Sequence, residues 1–143
     1  MQINRTASAQ WSGGLKDGKG QISTQSGALK SYPYGFASRF EGLPGTNPEE
    51  LIGAAHAGCF TMALSLILNE AGFTADNMET TAKVTLESVE GGFAISAIQL
   101  TLRGSVPNAD EKTFIELANK AKAGCPVSKA LSAVPISLDV QLI

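Results

Sequence analysis

The chain has 143 residues, 43% hydrophobic and 17% charged, with a formal net charge of −2 and a pI of about 5.4. That length holds one domain, residues 1–143, with a sizeable core, and the lack of clustered Lys and Arg excludes a nucleic-acid surface. So low a charged fraction in a small chain leaves apolar surface for a partner to cover, and an oligomer is expected. No apolar signal region follows Met1-Gln2-Ile3-Asn4-Arg5, so the cytoplasm is the expected compartment. In a reducing compartment the two cysteines are either buried thiols or a redox couple, not a static disulfide.

In chain order, the first third reads as strands and turns. Glycines at 13, 14, 18 and 20 and the pair Ser26-Gly27 mark turns, with a short strand between them over residues 21–25. Residues 32–46 read as a loop rich in aromatic residues, Gly and Pro. Next comes a long helix: Asn47 is a suitable N-cap, Pro48 fits the first helical position, Glu49 and Glu50 suit the dipole, and Gly72 provides the stop. Residues 51–68 contain no charge, which meets the lower limit for a membrane span. The soluble-type caps, His56 and the interspersed small and hydroxyl residues favour a core helix instead, wrapped by sheet on most sides.

The rest alternates between strand and helix. Thr80, Ala82, Val84 and Leu86 alternate with polar neighbours, so one face of that strand is buried. Glu90-Gly91-Gly92 turns the chain into a second strand, in which the apolar parity shifts between Ile95 and Ile98 and predicts a bulge. Asp110 caps a helix that ends at Gly124, a short helix follows Cys125-Pro126 to about residue 130, and Val134, Ile136, Leu138, Val140 and Leu142 form a closing strand. The class is α+β.

Several side chains can carry chemistry. Cys59 and Cys125 are 66 positions apart, so only the fold can pair them. Cys125 stands at the start of a short helix, where the dipole favours a thiolate. Cys59 is mid-helix, and apolar surroundings raise its pKa, so it needs a cation from elsewhere to act as a nucleophile. Glu49 precedes it by ten positions, about 15 Å along a helix, too far for contact. A guanidinium can bridge that gap with its fork of donors, and Arg39 is near in sequence. If residues 36–40 are extended, Phe36 and Phe40 face one way and Arg39 the other. His56 reads as a core or interface histidine; with the two cysteines it makes only three zinc ligands, so no metal or other cofactor is expected. Tyr32, Tyr34, Phe36, Phe60 and Met62 are candidates to line an apolar pocket.

The segment Gly45-Thr46-Asn47-Pro48-Glu49-Glu50-Leu51-Ile52-Gly53-Ala54-Ala55-His56-Ala57-Gly58-Cys59-Phe60 closely resembles the central-helix signature of the osmotically inducible protein C and organic hydroperoxide resistance (OsmC/Ohr) family. Lys122-Ala123-Gly124-Cys125-Pro126-Val127-Ser128 is similar to that family's second-cysteine motif, and Pro33-Tyr34-Gly35-Phe36 resembles its OsmC branch. The resemblance implies a curved antiparallel sheet wrapped around a long buried central helix, in an intertwined homodimer. It implies a peroxidase in which Cys59 attacks organic hydroperoxides, Cys125 resolves the product as a disulfide, Glu49 fixes Arg39, and Arg39 holds the Cys59 thiolate. An external dithiol, a lipoyl group by family analogy, would reduce the disulfide. Two other readings of the residues remain open: an acyl-thioester hydrolase of the hot-dog type, and a module that binds a small apolar ligand, its cysteines merely buried.

Overall fold

Strand β1 (Ala7–Ser12) and strand β2 (Lys19–Thr24) form a hairpin, and β3 (Tyr32–Tyr34) adds to β2, giving an antiparallel sheet in the order β1-β2-β3. The computed structural model describes all residues 1–143, which fall into two compact units, Met1–Leu51 and Ile52–Ile143. β1 is exposed along its whole length, so it has no buried face to imprint a period of two on the sequence. The stretch at 32–46 is more ordered than the expected loop. After β3 the chain makes a helical turn, α1 (Phe36–Phe40). Ser38 Oγ accepts from the Gly35 N–H at 2.9 Å and donates to the Thr46 carbonyl at 2.8 Å, while the Thr46 N–H reaches the Pro33 carbonyl at 2.9 Å. The extended reading of residues 36–40 is therefore corrected. Phe36 and Phe40 still share a side, because positions four apart on a helix are neighbours, and their ring centroids are 4.9 Å apart.

Helix α2 (Pro48–Glu70) begins in the first unit and runs into the second. Its start follows the expected chemistry: the Glu50 N–H donates to Asn47 Oδ1 at 2.8 Å, which satisfies a donor the first turn leaves orphaned, and Thr46 Oγ1 donates to Glu50 Oε2 at 2.7 Å. At the other end Gly72 takes φ +89. The Phe73 N–H then reaches back to the Leu68 carbonyl at 2.8 Å and the Gly72 N–H to Asn69 at 3.0 Å, a Schellman closure that suits a residue without Cβ.

In the second unit, β4 (Asn77–Val89) and β5 (Gly92–Ser105) form a long antiparallel hairpin. Thr85 pairs with Ala97 but Leu86 pairs with Ile95, so Ser96 is the extra residue of the bulge that the parity shift predicts. The chain then builds α3 (Glu111–Gly124), capped by Asp110 Oδ1 accepting from the Thr113 N–H at 2.7 Å, α4 (Pro126–Ala130) and β6 (Ile136–Leu142). β6 pairs with β5 in parallel, from Ile98↔Ile136 to Gly104↔Leu142, so this sheet is mixed and not wholly antiparallel. Alternation along β6 shows which face is buried but is blind to direction; the α3–α4 crossover sets it.

The core of this unit joins Phe60, Leu64 and Leu68 of α2 to Ile98, Leu100 and Leu102 of β5 and to Phe114, Leu117, Ala118 and Ala121 of α3. Each large apolar side chain buried this way contributes roughly 1.5–3 kcal/mol. α2 approaches β4 closely at Gly53, where an added Cβ would sit 3.4 Å from the Ala82 carbonyl oxygen and 3.5 Å from Val84 Cγ2. The helix is buried along one stripe only, Gly53, His56, Phe60, Leu64 and Leu68; Ala54, Ala55, Gly58, Met62 and Leu66 lie exposed. Within one chain the sheet thus covers one side of α2, less than its sequence suggests. By length and composition alone α2 could cross a membrane, but its buried stripe is part of a sheet-and-helix core.

Candidate active site

Two cysteines distant in sequence meet in the second unit. Cys59 sits on α2, half-buried; Cys125 is fully buried, closing α3 and opening α4. The turn at Cys125 has a local cause. A residue before proline is pushed out of the helical region, and Cys125 ahead of Pro126 takes φ −59, ψ 127 while its N–H still caps α3 at the Ala121 carbonyl, 2.9 Å away. The side chain is thereby delivered to the core. Both thiols are free, and their sulfurs lie 2.8 Å apart, joined by an S–H···S hydrogen bond.

The two thiols differ in acidity. Burial pushes the Cys59 thiol up, and proton sharing with Cys125 adds to this, against a smaller opposing pull from the Val127 N–H. Burial also acts to raise Cys125, but hydrogen bonding with Cys59, and after it the influence of Ser128 and the Val127 N–H, outweighs this and holds Cys125 below the ordinary thiol range. Val127 and Ser128 lie in the first turn of α4, the helix start to which the sequence reading ties Cys125. Within this unit, then, the charge favours Cys125, and Cys59 lacks a cation.

His56 lies one turn before Cys59. It is wholly buried, its Nε2 is 2.8 Å from Ser128 Oγ, and its Nδ1 has no partner. Desolvation lowers its pKa, so the neutral ring is the folded form. The unfolded chain takes up this proton near pH 6.5 and the folded chain only at lower pH. Stability is therefore unaffected above about pH 6.5 and falls as pH drops below it. Denaturant midpoints measured from pH 7.5 down to 5 are expected to decline, and His56→Gln is expected to flatten that decline.

The first unit holds the other predicted pair. Arg39 and Glu49 form a forked ion pair: Nη2 to Oε1 at 2.6 Å, with Nε 3.1 and 3.3 Å from Oε1 and Oε2. Glu49 is 8% exposed and the Arg39 side chain 37%. The α1 turn aims Arg39 by stacking its guanidinium carbon 5.5 Å from the Phe40 ring centroid. Tyr34 and Phe36 line a cavity of about 670 Å³ with Trp11, Lys16, Ser38 and Pro44. A smaller cavity of about 290 Å³ adds Leu15, Arg39 and Phe40. Tyr32 lines neither and is exposed. In the second unit Phe60 is fully buried in the core, so it packs and does not line a pocket; Met62 lies on the open face of α2 beside a shallow cavity with Thr61 and Met78. The sequence reading missed Trp11, Leu15 and Phe40 as lining residues. A lone Trp ahead of a glycine-rich turn was the available signal. No group of three or more His, Cys, Asp or Glu side chains is placed to hold a metal ion.

Touching free thiols presented by a helix–sheet core define an α+β dithiol protein. Residues 40–139 match the family model described as OsmC-like protein. Over 142 residues the chain is 57% identical to the peroxiredoxin OsmC of Escherichia coli strain K12, covering 99% of each. It is 35% identical over 103 residues to the organic hydroperoxide resistance protein OhrB of Bacillus subtilis, covering 71% of each. The crystal structure of that OhrB matches with a TM-score of 0.69 at 31% identity, over 96% of this chain and 98% of that one. The crystal structure of an organic hydroperoxide resistance protein OsmC from Legionella pneumophila gives 0.74 at 26% identity, over 98% and 99%. This chain belongs to the OsmC/Ohr family.

Proposed function

We propose that the chain is a cysteine-based peroxidase that reduces organic hydroperoxides to alcohols. The observation that carries this reading is the 2.8 Å contact between the sulfurs of Cys59 and Cys125. Relatives named as a peroxiredoxin and as organic hydroperoxide resistance proteins support it. Arg39, steadied by Glu49, supplies the cation that Cys59 lacks and holds it as a thiolate. The thiolate attacks the distal peroxide oxygen; the alcohol leaves and the sulfur becomes a sulfenic acid. Cys125 then attacks that sulfur, water departs, and a Cys59–Cys125 disulfide remains. An external cytoplasmic dithiol, a lipoyl group for example, restores both thiols by exchange.

Apolar walls at Tyr34 and Phe36 favour organic over hydrogen peroxide. The whole chain acts as one domain of a homodimer, a reading supported by the apolar face that α2 leaves open, with Met62 77% and Leu66 60% exposed. Stopped-flow mixing of the reduced protein with cumene hydroperoxide is expected to consume peroxide rapidly, and mass spectrometry to find an intramolecular Cys59–Cys125 disulfide. An inert protein would overturn the reading and turn attention to the cavity beside Tyr34 as a ligand site.

A further inference from the structure

We infer that Ser38 is a positioning residue for Arg39: its buried hydroxyl ties helix α1 to the start of α2 and so holds the Arg39 guanidinium in one plane on Glu49. The inference rests on the reading of Arg39 as the cation for Cys59 and deepens it, by naming what keeps that cation in place.

Ser38, Thr46 and Glu49 are the buried polar side chains of the first unit, and burying such a group costs free energy unless it is hydrogen-bonded. Glu49 is accounted for by the fork from Arg39. Ser38 is bonded on both sides: its hydroxyl donates to the Thr46 carbonyl at 2.8 Å and accepts from the Gly35 N–H at 2.9 Å. Thr46, 1% exposed, is itself a fixed point. Its N–H reaches the Pro33 carbonyl on β3 at 2.9 Å, and its hydroxyl reaches Glu50 on α2 at 2.7 Å. The space around Ser38 is closed as well, since a Cβ added at Gly45 would lie 2.9 Å from Ser38 Cβ and 3.2 Å from its Oγ.

Two ties therefore stand side by side. Ser38 bonds to Thr46, and the next residue, Arg39, bonds to Glu49, three positions beyond Thr46. The ion pair does not suffice alone. The Arg39 side chain is partly exposed, and an ion pair open to water gains little against the freedom of a long side chain. Nor does a helix of five residues persist by itself. With the Ser38 tie in place the Arg39 main chain is fixed, and the fork and the Phe40 ring have only the side chain left to order. That matters for rate, because misplacing a reacting or stabilising group by about 1 Å can cost on the order of a hundredfold.

Double-mutant kinetics on the full chain test this. Ser38→Ala is expected to lower the second-order rate with cumene hydroperoxide about tenfold and to raise the pH midpoint of Cys59 alkylation. Ser38→Thr, which keeps the hydroxyl, is expected to recover most of both. Added to Arg39→Ala, Ser38→Ala is expected to cost less than about a further twofold, because its effect passes through a guanidinium already gone. A readout at the guanidinium itself needs no peroxide. The Nε–H signal of Arg39, told from those of Arg5 and Arg103 by its loss in Arg39→Ala, is expected to exchange with water about tenfold faster in Ser38→Ala. Thr46→Val, close to threonine in shape, cuts the tie to Glu50 and loosens the same anchor, so it carries the same tests should Ser38→Ala not fold. A tenfold loss that persists in the Arg39→Ala background overturns the inference, as do wild-type rate, midpoint and exchange in Ser38→Ala. Wild-type kinetics in Arg39→Ala defeat the reading of Arg39 as the cation, and the Nε–H exchange still decides whether Ser38 holds it.

Discussion

Cys59→Ser is expected to abolish peroxide reduction, whereas Cys125→Ser is expected to leave a protein that reacts once and then stalls. The asymmetry follows from the roles of the two sulfurs. Only a thiolate is nucleophilic enough to take the distal peroxide oxygen, and a serine hydroxyl in the half-buried site of Cys59 stays protonated. In the proposed mechanism Cys125 enters after the oxygen has been transferred. Without it the Cys59 sulfenic acid has no internal partner and is expected to persist, then advance to sulfinic acid under excess peroxide. Intact-mass spectrometry after one equivalent of cumene hydroperoxide separates the cases: no adduct in Cys59→Ser, one added oxygen in Cys125→Ser, and loss of two hydrogens in wild type. Peroxide reduction by Cys59→Ser at the wild-type rate would assign the first step to another group.

Arg39→Ala is expected to lower the second-order rate with organic hydroperoxide by about 10²–10³-fold, the scale on which losing one preorganised electrostatic donor acts. Burial raises the Cys59 thiol, and in the proposed mechanism Arg39 supplies the positive charge that offsets this. The guanidinium is already oriented: a forked pair to a carboxylate that is 8% exposed fixes its plane. Lysine carries the charge without the fork, so Arg39→Lys is expected to recover only part of the rate. Glu49→Gln keeps the shape but removes the anchor, and its effect is expected to be smaller. The pH profile of Cys59 alkylation gives an independent check, its midpoint expected to move upward in Arg39→Ala. A midpoint and rate that both match wild type would remove Arg39 from the mechanism.

Features with a local cause were legible in the sequence. Asn47, Pro48 and Gly72 frame α2, Asp110 starts α3, and Pro126 bends the chain at Cys125, because caps and proline act within a turn of where they stand. The parity shift at Ile95 and Ile98 located a real bulge. What escaped has a distant cause. α1 is five residues long, too short for a period, and is held by Ser38 bonding to Thr46. The parallel sense of β6 leaves no trace in its alternation. The His56–Ser128 contact joins positions 72 apart, so spacing showed His56 only as a buried ring. Apolarity all round α2 signalled burial but not by what, and the chain itself covers one stripe.

The parallel return of β6 also bears on the order in which the molecule is assembled. The β4–β5 hairpin closes locally and cheaply, whereas β6 must find β5 across the α3–α4 crossover, from Ile136 back to Ile98, a pairing with a larger loop entropy and a slower formation. Cys125 lies on that crossover and Cys59 well before it. As the chain leaves the ribosome from its N-terminus, the sulfur at 59 is made first and stands unaccompanied until residue 125 has followed and the segment that carries it has packed. A newborn chain thus passes through an interval in which an oxidant meets one thiol without the other, and the packing of the α3–α4 segment ends it.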